Sequence, residues 1–148
     1  MNFHIEWAYP ERVIYEWVSG DLTTEIIDAS FPRIIEFHKM GVQPLHTIVD
    51  MRGLNLKSLG EAPYLASKIK ALPNVKESGW MIVIGAGVLT FSILSAIRQL
   101  AGIKIRTADS YLAARKILEN NDRNLSPAQW TKNELLAKVD SKNAYNIL

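Results

Sequence analysis

A chain of 148 residues, 48% apolar and 22% charged, has the composition of one packed globular domain and not of a disordered tail. Seventeen basic and fifteen acidic residues, interspersed for a net charge of +2, supply no basic stripe of the kind that grips nucleic acid. The lack of cysteine excludes disulfides, thiolate metal sites and cysteine nucleophiles, and a cytoplasmic setting is expected.

The opening stretch MNFHIEWAYPER has neither the basic region nor the apolar region of a signal peptide. Phe3 to Trp7 and Val13 to Val18 alternate as two strands, joined by a turn at Tyr9-Pro10-Glu11. Asp21, Thr23 and Thr24 are available to cap a first helix that reaches about Lys39, with Ile27, Phe31, Ile34 and Ile35 inward and Pro32 inside it. Leu45 to Met51 forms a third strand. His46, Ile48 and Asp50 share one of its faces, and Leu45, Thr47, Val49 and Met51 share the other. It breaks through Arg52-Gly53 into a polar loop holding Asn55 and Ser58.

A second helix spans about Gly60 to Leu72, a fourth strand Trp80 to Ile84, and a third helix Thr90 to Leu100, closed by Gly102. Ile103 to Arg106 is a short fifth strand, and Asp109-Ser110 caps a fourth helix from Tyr111 to Glu119. After the polar break at 120–124, Ser126-Pro127 starts a last helix that runs to about Val139. The alternation predicts an α/β fold: a five-stranded mixed sheet with helices on its faces, plus a C-terminal helix. Residues 1–120 would form the domain and 121–148 a helical extension packed on the domain or on a partner. The uncharged run Trp80 to Ile97 is long enough to suggest a membrane span, but Gly85-Ala86-Gly87 divides it into strand and helix, so no span is expected.

Chemistry concentrates on Asp50. An acid delivered to the carboxyl end of a buried strand lies where open α/β sheets place ligands or partners. Asp50 and Arg52 read as a docking pair for a partner's backbone or an anion; they read equally as a pair bonded only to the turn at Gly53 and to each other. His46 lies two residues away on the same face and is expected to bond a main-chain carbonyl. No H-x-x-x-H or H-E-x-x-H spacing occurs, so neither a metal site nor a cofactor is expected. Gly85-Ala86-Gly87 fails the dinucleotide fingerprint, whose third glycine would fall at Thr90. On the third helix, Leu89, Ile93, Ala96, Ile97 and Leu100 cover one face, while Phe91 and Leu94 project from a second, with Arg98 beyond. That second face needs cover from the C-terminal helix carrying Trp130, Leu135 and Leu136, from a second subunit, or from an apolar ligand.

The element order, Ile48-Val49-Asp50-Met51-Arg52-Gly53, the strand Trp80-Met81-Ile82-Val83-Ile84-Gly85 and the helix Asp109 to Leu118 resemble the STAS/SpoIIAA-like superfamily, over about residues 1–120. In anti-sigma-factor antagonists of that superfamily, a serine in a D-S-S-G loop after the third strand is phosphorylated by a partner kinase. Here Ser58-Leu59-Gly60-Glu61 falls at those positions; the acid and both serines are not reproduced in place, which leaves Ser58 as an offset candidate for phosphorylation. The resemblance implies a non-enzymatic regulatory domain that binds a protein partner and forms a homodimer, recognising through Asp50, Arg52, Asn55 and Ser58. Alanine at Asp50 and Arg52 is then expected to weaken capture while stability stays within about 1 kcal/mol. Other branches of the fold resemble lipid binders, so the alternative is an apolar ligand under the third helix, lined by Phe91, Leu94 and Trp80, with Arg98 at its side. A third reading is a small hydrolase using His46 and Asp50.

Overall fold

The computed structural model describes residues 2–57 and 59–132. Strand β1 (Asn2–Tyr9) turns back on β2 (Val13–Asp21) through a hydrogen bond from the Arg12 amide to the Tyr9 carbonyl (3.1 Å). Helix α1 (Thr24–Met40) starts at Thr23, whose hydroxyl accepts from the Ile26 amide at 3.3 Å, and continues through Pro32 to Gly41. Then follow β3 (His46–Asn55), α2 (Ala62–Lys70), a 3-10 turn at Val75–Glu77, β4 (Trp80–Ile84), α3 (Val88–Ala101), β5 (Lys104–Ala108) and α4 (Tyr111–Asn121). Ser110 caps α4 by accepting from the Ala113 amide at 3.1 Å.

The sheet runs β1-β2-β3-β4-β5, with β1 antiparallel to β2 and all later pairs parallel. A strand order that never reverses decides where the helices go. Each parallel connection crosses over with the same hand and in the same direction, so α1, α2 and α3 all land on one face. Ile27, Phe31, Ile34 and Phe37 of α1, Ala66 and Ile69 of α2, and Ile93 and Ile97 of α3 pack there against Leu45, Val49 and Val83. The other face carries α4, whose Tyr111, Ala114 and Leu118 pack on Tyr15, Ile48, Ile82 and Ile84. The two faces expected of β3 are therefore the two observed. A second consequence concerns ligands. Open parallel sheets hold them in the crevice where strand order reverses, and this sheet has no such point between its parallel strands.

Several boundaries differ from expectation: β3 runs on as strand to Asn55, past the break expected at Arg52-Gly53, because it stays paired with β2 as far as Asp21. Helix α3 begins at Val88, because extended Gly87 lets the chain enter the helix at once, and α2 is shorter than the Gly60–Leu72 expected. The last helix begins only as a 3-10 turn at Pro127–Gln129, and its expected continuation through Leu135 and Leu136 to Val139 lies outside the described residues. Residues 122–132 lie along β1: the Thr131 amide donates to the Ala8 carbonyl (2.9 Å), and the Tyr9 hydroxyl donates to Gln129 Oε1 (2.6 Å). No described helix is long and apolar enough to cross a membrane.

Candidate functional site

The carboxyl end of β3 is built by a slip in register. Trp17 pairs with Asp50, but Ser19 already pairs with Gly53, so β3 carries one extra residue at Met51-Arg52. That bulge lets the Arg52 amide turn onto the side chain two residues back and donate to Asp50 Oδ1 at 3.2 Å. The guanidinium follows: Nε donates to Oδ1 at 3.0 Å and Nη2 to Oδ2 at 2.7 Å, a two-pronged grip. From β2 the Tyr15 hydroxyl donates to Oδ2 at 3.1 Å. Gly85, directly after β4, adopts φ +84° and passes so close that a Cβ there would lie 3.0 Å from the Arg52 Cα. The loop into α3 is thus packed on the Arg52 backbone.

Asp50 is fully buried, whereas the Arg52 side chain keeps 27% of its surface exposed. The expected docking pair is therefore divided: the acid faces inward and only the arginine reaches the surface. A buried charge pair gains little overall from being kept, but removing one partner alone is expensive. Replacing either residue at little loss of stability no longer fits the geometry.

Asn55 stands at the end of β3, where its side-chain amide donates to Asp21 Oδ1 at 2.9 Å, and Lys57 Nζ lies 3.2 Å from Asp21 Oδ2. Ser58 lies outside the described residues. On α3, Phe91 is exposed in the first turns, beside Val88, which keeps 88% of its surface, and Leu89. Leu94, expected on that second face, is buried in the core with Ile93 and Ile97. The helix turns by 100° per residue, and α2 packs alongside it, so the arc that meets protein is wider than the sheet alone would make it. Arg98 lies in the last turn, where Nη2 donates to the Ile105 carbonyl at 2.9 Å. It is at the far end of α3 from Arg52. Trp80 packs on the α4 face and Leu94 on the opposite one, so Phe91, Leu94 and Trp80 do not line one pocket.

His46 makes a different connection from the main-chain carbonyl expected. Its Nδ1 accepts from the Trp80 amide at 2.9 Å, which fixes the proton on Nε2, and Nε2 donates to Asp122 Oδ2 at 2.8 Å. Burial lowers the pKa of this imidazole; the carboxylate pulls the other way without reversing it. Burial alone would raise the Asp122 carboxyl, but hydrogen bonds from His46 and Asn124 outweigh it and hold the carboxyl below its usual range. With both ring nitrogens engaged inside the protein, His46 has no position from which to take a substrate proton. Among the described residues, no three acidic or histidine side chains gather as a metal site requires.

The anti-sigma factor antagonist SpoIIAA in its unphosphorylated form superposes with a TM-score of 0.57, covering 84% of this chain and 99% of that one at 13% identity. The fold is SpoIIAA-like. At that identity the SpoIIAA likeness concerns backbone architecture alone. No family model matches the sequence, and no curated protein matches it.

Sequence reasoning did not find Tyr15, Asp122, Val88 or Leu59 as parts of these sites. Tyr15 reaches Asp50 across a register the sequence does not display, and Asp122 reaches His46 across 76 positions. Leu59 and Val88 were within reach: each is a large apolar residue just ahead of, or opening, a helix.

Proposed function

We propose that this chain is a non-enzymatic interaction domain that docks a protein partner at the carboxyl end of its parallel strands. The observation that carries this reading is the pairing of an anchored arginine with exposed apolar side chains. Leu59, Val88, Leu89 and Phe91 are all exposed, at the amino ends of α2 and α3, and those two helices pack side by side. Exposed apolar groups at two helix starts, on the same end of the sheet as a fixed cation, suit a protein surface. Asp50 serves this surface from behind by fixing the Arg52 guanidinium, as a positioning residue. The regulatory role of SpoIIAA-like proteins, with recognition through the loop after the third strand, agrees with that location, and Ser58 would lie within it.

The test is capture of a partner by the whole chain and by V88E/F91E, with K116E on exposed α4 as a control. Loss of the same partner from V88E/F91E alone, with melting unchanged, supports the reading. Equal retention by all three refutes it. A second copy of the chain is the rival occupant, and sedimentation of the same variants identifies it: a dimer that V88E/F91E converts to monomer assigns the patch to self-association.

A further inference from the structure

A cavity of about 50 Å³ opens between the carboxyl halves of α1 and α2 and the sheet, at the opposite ends of the strands from Arg52. It is lined by Phe31, Ile34, Leu45, Ile69 and Leu72, and polar side chains join them, among them Glu16 of β2, His38 of α1, Thr47 of β3 and Ser78, whose hydroxyl donates to the Val75 carbonyl at 2.6 Å. The helices are clamped by the Tyr64 hydroxyl, from the first turn of α2, donating to Asp28, and by Lys68 Nζ, from its last turn, 3.3 Å from the same carboxylate. At one water per roughly 10–15 Å³ the cavity holds a few waters, or the head group of a small ligand whose body extends through the open side.

Two of these groups, Glu16 and His38 Nδ1, are not bonded within the described residues. Among the described residues Glu16 makes no hydrogen bond or ion pair, and burial alone pushes its carboxyl up to about 7. His38 is 6% exposed, and its Nδ1 is buried without a hydrogen-bond partner. Burial lowers its pKa to about 4, so at neutral pH it is an uncharged acceptor and does not repel a cation. Lys104 also borders the cavity, but its ammonium lies 5.7 Å from the Trp80 ring centroid. Carboxylate, imidazole nitrogen and hydroxyl oxygen make three acceptors, and a primary ammonium has three protons to donate.

We propose that this cavity binds a small primary amine with an apolar body, its ammonium held by Glu16, His38 and Thr47 and its carbon chain laid against Phe31, Ile34, Ile69 and Leu72. The ligand's charge stabilises the Glu16 carboxylate, and its body removes further apolar surface from water.

The probes are n-butylammonium, 1-butanol and butyrate, added at neutral pH to the native chain and to E16Q, with amide NMR shifts read as a titration. Saturable shifts at Glu16, His38 and Thr47 with butylammonium, about tenfold or more tighter than with butanol, support the proposal. So does a fall in the Glu16 titration midpoint when the amine is added, and loss of the amine's advantage in E16Q. Equal binding of amine and alcohol, tighter binding of butyrate, unchanged amine affinity in E16Q, or no saturable shift (a cavity that holds water only) would each overturn it. H38N provides the second variant: weaker amine binding with the fold intact is expected, and unchanged affinity contradicts the three-acceptor arrangement.

Discussion

Replacing Glu16 by glutamine makes stability depend on pH in a way that exposes the hidden acid. The native carboxyl titrates near 7 instead of the ordinary 4.5, because its charged form loses solvation among apolar side chains. Between those values the folded state binds more protons than the unfolded one. Stability from this group is therefore full below 4.5 and is lost as pH rises through 7, by roughly 3 kcal/mol, or about 2 once water entering the open cavity is allowed for. His38 acts in the opposite sense. Its pKa falls from 6.5 to about 4, so across that interval the unfolded state binds more protons and stability rises with pH. The two slopes oppose each other over most of the mildly acidic range. Native protein should then change little there, E16Q should gain about 2–3 kcal/mol over native between pH 4.5 and 8, and H38N should fall more steeply than native. Urea unfolding at a series of pH values measures this, and distant carboxylates cancel in the differences. An E16Q-minus-native difference that stays constant with pH would show the carboxyl to be solvated and the reasoning mistaken.

Other substitutions test other parts of the structure. D50A removes the carboxylate that accepts from Arg52 and Tyr15 and should cost about 2–4 kcal/mol in denaturant unfolding, with R52A close behind because it takes the guanidinium from a buried carboxylate. G79A brings a Cβ to 2.1 Å from His46 Nδ1, so the ring must shift off the Trp80 amide; a loss of about 1–3 kcal/mol is expected by calorimetry, and a neutral result contradicts the close packing of Gly79 on the imidazole. D122A should release residues 122–132 from β1, which appears as faster amide exchange at Thr131 while β4 stays protected. V88E/F91E should melt within a degree or two of native, since both side chains already face solvent.

The sheet was legible because its signals are local. Alternating runs, glycine breaks and caps such as Ser110 each act within a few residues, and strands separated by helices leave little choice but a parallel order. The division of β3 into two faces followed from a period of two. Asp50 was also visible, as an acid at a strand's end. Its orientation was not, because the bulge at Met51-Arg52 and the hydroxyl of Tyr15 arise from pairing with β2, and no spacing in either strand announces that register. The burial of Leu94 has a related cause: a helix wheel drawn against a sheet omits the neighbouring helix, and α2 packs alongside α3. The Glu16 cavity escaped notice because a lone glutamate within an alternating strand has the ordinary pattern of a solvent-facing residue. The convergence of α1 and α2 above it leaves it only partly exposed, at the mouth of the cavity.

Hydrogen–deuterium exchange on the chain alone and in complex with a captured partner bears most directly on the docking surface. Protection should appear at residues 52–59 and 85–91 and nowhere on α4. Protection confined to α4, or to the strand starts around Leu45 and Ile103, would place the partner elsewhere and leave Arg52 without the role assigned to it.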